Sequence, residues 1–374
     1  MRYKGLAAAL LGSAVVSSVL FSCGSKGKSA LTAKRSLNGL CDALVEVKTP
    51  TPRILQLTDM QVIDAAQRRT PDRISEEKIS YWDTKNAKKL CYDHIRDLIA
   101  QTDPDLIIVT GDIVYGEFDD SGRIQEEFAA FMGSLGIPWA PVFGNHDNES
   151  AVGIDWQCKL YENASNSLFR RGGVTGFGNY SVGLVHNGEL LRVIYMLDSH
   201  GCRRAASSEA RIPAGLYPDQ LELVRRTSTR IEQRLRKKIP SFAAYHIPTQ
   251  EFVLAERQKY EKEKTDYYTL GVDVAAEKGD FGAKFEKYSG CGEQDLLSFW
   301  RDCGVDGVFV GHYHKVNTSI LWDGVRLTFG LKTGAYDYYS NGQLGGTLIE
   351  CGNDGAFTVH HVPTLVPYDP PFLL

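Results

Sequence analysis

No Cys-x-x-Cys pair occurs anywhere in the 374 residues. A thiolate zinc site therefore has no support in the sequence. No Gly-x-x-x-x-Gly-Lys-Ser/Thr loop occurs either, which disfavours a Walker-type nucleotide site. Charge of one sign is also lacking. The 42 basic side chains against 46 acidic ones leave a net charge of -4, and nothing predicts a nucleic-acid surface. Internal repeats and low-complexity tracts are missing from the body of the chain. Long apolar runs are missing too. The run from Leu6 to Phe21 is shorter than the roughly 20 residues a spanning helix needs. What is left is ordinary globular usage, long enough for one large or two modest domains.

That one apolar run has a meaning of its own. Arg2 and Lys4 precede it, and Leu20-Phe21-Ser22-Cys23-Gly24 closes it. A basic start followed by a short apolar stretch reads as a secretory signal. The closing residues resemble a bacterial lipoprotein signal, in which Cys23 becomes the lipidated first residue. The Phe at position 21 departs from the small residue usual there. A plain signal peptide or an uncleaved anchor is the alternative. Each reading puts the body outside the cytoplasm, at the bacterial cell envelope. Residues 1–23 are thus expected to be the signal, 24–49 a flexible tether, and 50–374 one catalytic domain. Beyond Cys23, seven cysteines remain: Cys41, Cys91, Cys158, Cys202, Cys291, Cys303 and Cys351. An oxidising compartment permits disulfides, but an odd count leaves at least one thiol free in a monomer.

Hydrophobic periodicity predicts the body in order. Strands are expected at 54–58, 106–109 and 139–143, with helices near 83–101 and 125–135 between them. This is a βαβαβ unit. The first helix has one apolar stripe that includes Cys91, His94, Ile95 and Leu98, spaced at three and four residues. His94 on that stripe reads as a core histidine. Asn187-Gly188 marks a hairpin between 182–184 and 191–197. A helix is expected at 218–237, a strand at 242–245, a surface insertion over 254–290, and a short helix at 296–303. The apolar run Gly307-Val308-Phe309-Val310 is a further buried strand. Hairpins at 318–331 and 347–361 follow, so the last part is expected to be antiparallel.

The strand ends carry chemistry. They deliver Asp59, Asp112, Asn145, His246, and His312 with His314. In open α/β sheets, sites form beyond the carboxyl ends of strands. Two carboxylates, an amide and three imidazoles suit a divalent transition metal. Each has a structural reading as well: Asp59 and Asp112 as turn residues, Asn145 as a helix cap, His246 as a packing residue. The coincidence of all of them, in this order, is what points to a site.

That ordered set resembles the calcineurin-like metallophosphoesterases. The motifs are Asp59-Met60-Gln61, Gly111-Asp112, Gly144-Asn145-His146-Asp147, His246, and Gly311-His312-Tyr313-His314. The His246-Ile247-Pro248 context and Gly334-Ala335-Tyr336 are closest to the purple-acid-phosphatase-related branch. The resemblance spans about residues 50–365. It implies a four-layer α/β/β/α sandwich of two mixed sheets with flanking helices. It implies two metal ions, one on Asp59, Asp112 and His314, the other on Asp112, Asn145, His246 and His312, with Asp112 bridging. A metal-bound hydroxide would attack a phosphate ester. His146 would serve the leaving oxygen, and Asp147 would orient it.

One position departs from the pattern. Gln61 stands where a His is usual, and Tyr115 stands three residues after Asp112. Gly-Asp-x-x-Tyr resembles the purple acid phosphatases, where the Tyr is a phenolate on Fe(III). Either Tyr115 replaces the imidazole and favours iron in the first site, or Gln61 binds there and Tyr115 packs over it. The second site suits Zn, Mn or Fe. The implied function is an extracytoplasmic phosphoesterase, with a phosphodiesterase, nucleotidase or pyrophosphatase on the same scaffold as the alternative. A catalytically impaired, lipid-anchored binding protein is the reading from another class. The lost first-motif His favours it.

Overall fold

A computed structural model of the chain describes residues 37–64, 66, 84–201, 212, 214–263, 296–337, 339 and 342–368. Cys23, Cys202 and Cys291 lie outside the described residues, as do the signal and most of the 254–290 insertion.

In chain order the elements are β1 (Ala43–Glu46), β2 (Arg53–Leu57), α1 (Thr84–Thr102), β3 (Leu106–Thr110), α2 (Arg123–Ser134), β4 (Trp139–Val142), α3 (Ile154–Asn163), β5 (Tyr180–His186) and β6 (Glu189–Met196). Then come α4 (Pro218–Leu235), β7 (Ser241–Ala244), α5 (Gln250–Glu263), α6 (Leu296–Asp302), β8 (Val305–Val310), β9 (Ser319–Trp322), β10 (Val325–Phe329), β11 (Gly345–Cys351) and β12 (Phe357–Pro363).

These strands make two mixed sheets. One has seven strands in the order β1-β5-β6-β7-β8-β10-β9, the other five in the order β12-β11-β2-β3-β4. The βαβαβ unit supplies β2, β3 and β4, paired in parallel. Their apolar residues, such as the fully buried Leu106-Ile107-Ile108-Val109 of β3, are what a strand covered on both faces requires.

The period-2 alternation of the seven-stranded sheet separates two cores. Ile194, Phe242 and Phe309 join Ile54, Ile107 and Phe128 in one apolar cluster between the sheets and under α1 and α2. Their neighbours Val193, Ala243 and Val308 point the other way, onto Leu221, Val224 and Trp300 of α4 and α6. The result is the four-layer α/β/β/α sandwich. The helix α4 starts where Pro218 fixes the first turn and the Gln220 side chain accepts from the Tyr217 N–H at 2.7 Å, a side-chain return to the cap.

The late hairpins are antiparallel as expected, β9 with β10 and β11 with β12. β10 pairs in parallel with β8, and β11 runs antiparallel to β2, so each hairpin completes one of the two sheets. The stretch 24–49 is not a tether throughout. β1 pairs in parallel with β5, Leu37 and Leu40 are buried, and Asp42 accepts from the N–H and hydroxyl of Ser181 at 2.8 and 2.7 Å. The domain begins by Leu37, because a short apolar segment there closes the edge of the larger sheet. The five described cysteines, Cys41, Cys91, Cys158, Cys303 and Cys351, are free and buried.

Candidate metal centre

The two sheets bring their carboxyl ends to one place. Asp59 follows β2, Asp112 follows β3, Asn145 follows β4, His246 follows β7, and His312 and His314 follow β8. The backbone turns sharply at these ends. Asp59, Gln61, Asp112 and His312 take positive φ of 53°, 47°, 51° and 76°. Such backbone costs about 1–3 kcal/mol per residue and persists where the surroundings over-determine it. Two glycines make the approach close enough. A Cβ on Gly144 would strike the Asp112 carboxylate, and one on Gly311 would strike Thr58 Oγ1 and lie 2.7 Å from Asp59 Oδ2.

Asp59, Asp112 and His314 each offer a ligand atom, and these atoms lie within 4.8 Å of one another. His314 Nε2 is 3.3 Å from Asp59 Oδ1, and Asp337 Oδ2 stands 3.6 Å from the other ring nitrogen. On the far side of Asp112, His246 Nε2 is 3.3 Å from Asp112 Oδ2 and 3.2 Å from Asn145 Oδ1. The His246 and His312 rings meet edge to face at 5.2 Å, and the His312 N–H donates to Asp59 Oδ2 at 3.0 Å.

The donor set fits metal ions. His246 Nδ1 donates to the Thr110 carbonyl at 2.8 Å, so in the neutral ring the lone pair sits on Nε2. That lone pair, a carboxylate oxygen and an amide oxygen then face one another in a buried pocket. Three acceptors so arranged need a cation between them. The electrostatics agree. Burial lowers the His246 pKa, but the charge of Asp112, its hydrogen bond and the charge of Asp59 together outweigh burial and raise it to about 9. Without a metal the imidazole supplies the missing positive charge by taking a proton. Burial works to raise Asp59, yet the hydrogen bond to His314 and the charge of His246 bring it down to about 2. Burial works to raise Asp112 too, yet the charges of His246 and His146 and the hydrogen bonds from both together hold it below the carboxylate range. Burial and the charge of His246 push His312 down to about 3. Both carboxylates stay ionised and His312 stays neutral, as ligands must be.

The remaining expected residues are at the rim or beneath. The His146 N–H donates to Asp112 Oδ1 at 2.9 Å. The Tyr115 ring stacks on the His146 ring at 4.1 Å and 27°, and meets Phe118 edge-on. Asp147 does not orient His146. Its carboxylate accepts from Val114 N at 3.0 Å and Gly144 N at 2.7 Å, tying the two ligand loops together. Burial and the nearby Asp112 charge raise its pKa to about 7. Glu149 takes the expected place, with Oε2 at 2.8 Å from His146 Nδ1.

Gln61 is buried beside Asp112. Its Oε1 accepts from Lys332 Nζ at 2.8 Å, and its Nε2 donates to Asp112 Oδ2 at 3.3 Å. It turns a donor, not an oxygen ligand, toward the centre. Lys332, Asp337 and Glu149 were absent from the sequence reading. Glu149 had a signal in its spacing from His146, three residues along a turn. Lys332 had none, since Leu331-Lys332-Thr333-Gly334 reads only as the end of a strand.

His94 and His200 are packing residues. His94 Nδ1 donates to the Thr333 carbonyl at 3.0 Å. His200 is buried between Asp198 and Gln220, at 3.2 and 3.3 Å.

A two-sheet sandwich with a buried carboxylate–imidazole cluster at its strand ends defines a metal-dependent hydrolase. The chain belongs to the calcineurin-like phosphoesterase family, whose model matches residues 52–316. Its relatives are purple-acid-phosphatase-related. It is 25% identical over 315 residues to a protein of Arabidopsis thaliana described as probable inactive purple acid phosphatase 29, covering 78% of this chain and 74% of the relative. It is 29% identical over 232 residues to phosphatase DCR2 of Saccharomyces cerevisiae, covering 56% of this chain and 36% of the relative. A dimetal phosphatase from Danio rerio superposes with a TM-score of 0.46 at 12% identity, over 80% of this chain and 95% of that one.

Proposed function

We propose that the chain hydrolyses phosphate esters at a dinuclear metal centre, outside the cytoplasm, anchored to the bacterial cell envelope through a lipidated Cys23. The observation that carries the chemistry is the convergence of Asp59, Asp112 and His314 ligand atoms within 4.8 Å, with His246 and Asn145 meeting Asp112 from the other side. Asp59, Asp112 and His314 would hold one ion. Asp112, Asn145, His246 and His312 would hold the other. Zn, Mn and Fe are the candidates, since both sets mix carboxylate with imidazole. Bound ions supply Lewis-acid polarisation of phosphate oxygens and acidify water.

The protein's own part is positioning. Asp112 sits between the two sets and keeps them together. Asn145 adds an oxygen without adding charge. His146, held by Glu149 from one side and by its own N–H on Asp112 from below, is the group that serves the leaving oxygen. The location outside the cytoplasm rests on Arg2, Lys4, the apolar run and Cys23.

A second reading has support of its own: a catalytically impaired binding protein on the same scaffold. The Gln61–Lys332 contact at the first ligand set favours it, as does the name of the Arabidopsis relative. Hydrolysis of an aryl phosphate by metal-loaded protein separates the two, with Asp112→Asn as control. Turnover abolished by Asp112→Asn supports the enzyme. Equal, background-level rates from both proteins would leave only the binding role. A screen of mono- and diesters, nucleotides and pyrophosphate then sets the substrate class.

A further inference from the structure

Lys332 is 2% exposed. Its Nζ donates to the Asp59 carbonyl and to Gln61 Oε1, both at 2.8 Å. An ammonium has three donors and no acceptor, so the Gln61 oxygen must face it. The Gln61 amide N–H is thereby turned onto Asp112 Oδ2. At the position where an imidazole would give a lone pair to a metal, this chain presents a hydrogen-bond donor backed by a cation.

The cation is fixed in place. Thr333 N–H donates to the Thr58 carbonyl at 2.9 Å, and Gly345 N–H to the Lys332 carbonyl at 2.9 Å. Thr58 N–H returns to Thr333 Oγ1 at 3.2 Å, and His94 clamps the Thr333 carbonyl at 3.0 Å. A Cβ on Gly334 would collide with the Met60 carbonyl. The strap that carries Lys332 is thus laced to the strand end that carries Asp59 and Gln61. Burial also keeps Lys332 from solvent and hence from substrate.

We infer that Lys332 and Gln61 together form a built-in electrostatic brake on the first metal position. The centre then holds one ion tightly through Asp112, Asn145, His246 and His312, and the other weakly through Asp59, Asp112 and His314. This rests on the metal-dependent reading above. The physical reason is like-charge repulsion in a buried setting, where it is poorly screened. The first position takes it most, because Lys332 bonds to the main-chain carbonyl of Asp59, and Asp59 belongs only to that position. Repulsion scales with the charge of the incoming ion, so the brake penalises a trivalent ion more than a divalent one.

The test counts ions rather than turnover. Full-length protein is loaded with Mn²⁺ or Zn²⁺, desalted and analysed for metal, and the metal-free protein is titrated by calorimetry. Wild type should retain one ion per chain and bind a second at least about tenfold more weakly. Lys332→Met, which keeps the bulk, and Lys332→Gln, which keeps an N–H for Gln61, should both retain two. Wild type retaining two ions of equal affinity overturns the inference, whether or not the variants fold. So do folded variants that still retain one. Wild type that binds no ion under any loading overturns the metal-dependent reading itself, a result distinct from either.

Discussion

Glu149 Oε2 lies 2.8 Å from Nδ1 of His146, and the glutamate side chain is 1% exposed against 13% for the histidine. A buried carboxylate on Nδ1 fixes a proton there and leaves Nε2 to exchange one. The stacked Tyr115 ring fixes the plane of the imidazole. His146 is therefore held by a carboxylate, a ring face and its own backbone N–H on Asp112.

Glu149→Ala is expected to lower kcat roughly tenfold by loosening the His146 ring, with metal content unchanged. His146→Ala is expected to lower it about 100-fold. A group that protonates the leaving oxygen matters most when that oxygen is basic, so alkyl phosphates should suffer more than nitrophenyl phosphate. Steady-state rates on both esters check this. Equal losses on the two would remove His146 from proton transfer.

The glycines beside the carboxylates give a sharper contrast. Gly311→Ala would drive a methyl group into Thr58 and Asp59, and Gly144→Ala would drive one into Asp112. Gly311→Ala should cost metal at the Asp59 set and Gly144→Ala at both sets that share Asp112, each with a loss of at least about 100-fold in activity. Gly173 has open space around its Cβ position, and Gly173→Ala should leave stability within about 0.5 kcal/mol. Elemental analysis and thermal melts of the three variants decide it. Normal metal content in Gly311→Ala would mean that Asp59 is not held as tightly as the packing implies.

Much of the site was legible because ligands at strand ends leave marks in sequence. Gly-Asp, Gly-Asn-His-Asp and Gly-His-x-His put a turn-forming glycine just before the chemistry, and all these segments meet in space. Most strands and helices were legible from their period, since β3 is apolar throughout and α1 carries a single stripe. The partition of the strands was not. Whether β8 pairs with β10 or β11 with β2 depends on contacts between residues far apart in the chain, and periodicity records only faces. The role of Gln61 was illegible for the same reason. It is set by Lys332, which lies on a different strand end and looks like any lysine. Asp147 misled because adjacency in sequence is not adjacency of side chains. On the turn after Asn145, the residue three along reaches the His146 ring and the next one does not.

Glu256 on α5 offers a pH-dependent test. It is 1% exposed, and its Oε1 accepts from Thr318 Oγ1 at 2.5 Å. Burial pushes its pKa from 4.5 up to about 9, against the opposing hydrogen bond from Thr318. The folded state holds the proton more tightly than the unfolded chain does. Its contribution to stability is therefore complete below about pH 4.5 and is lost as pH rises through about 9. Glu256→Gln keeps the shape and removes the titration. Denaturant melts from pH 5 to 9 should show wild type declining relative to Glu256→Gln, by up to about 1.4 kcal/mol per pH unit. Parallel curves would show that Glu256 is charged in the folded protein.

Tyr115 separates two accounts of the first metal position. A phenolate on Fe(III) gives a visible charge-transfer band in the purple acid phosphatases that the motif resembles. A ring that packs over His146 gives none. The stacking at 4.1 Å supplies a reason for an aromatic residue there without any metal bond. The cation at Lys332 opposes a trivalent ion most strongly. Protein purified without added metal is therefore expected to be colourless. Tyr115→Phe keeps the ring face and should retain kcat within about threefold, while Tyr115→Ala loses the stack and should fall roughly tenfold. Absorption spectra and metal analysis of the three proteins decide the matter. A visible band in wild type that disappears in Tyr115→Phe, together with loss of iron, would assign the phenolate to the metal and would count against a charge brake at the same position.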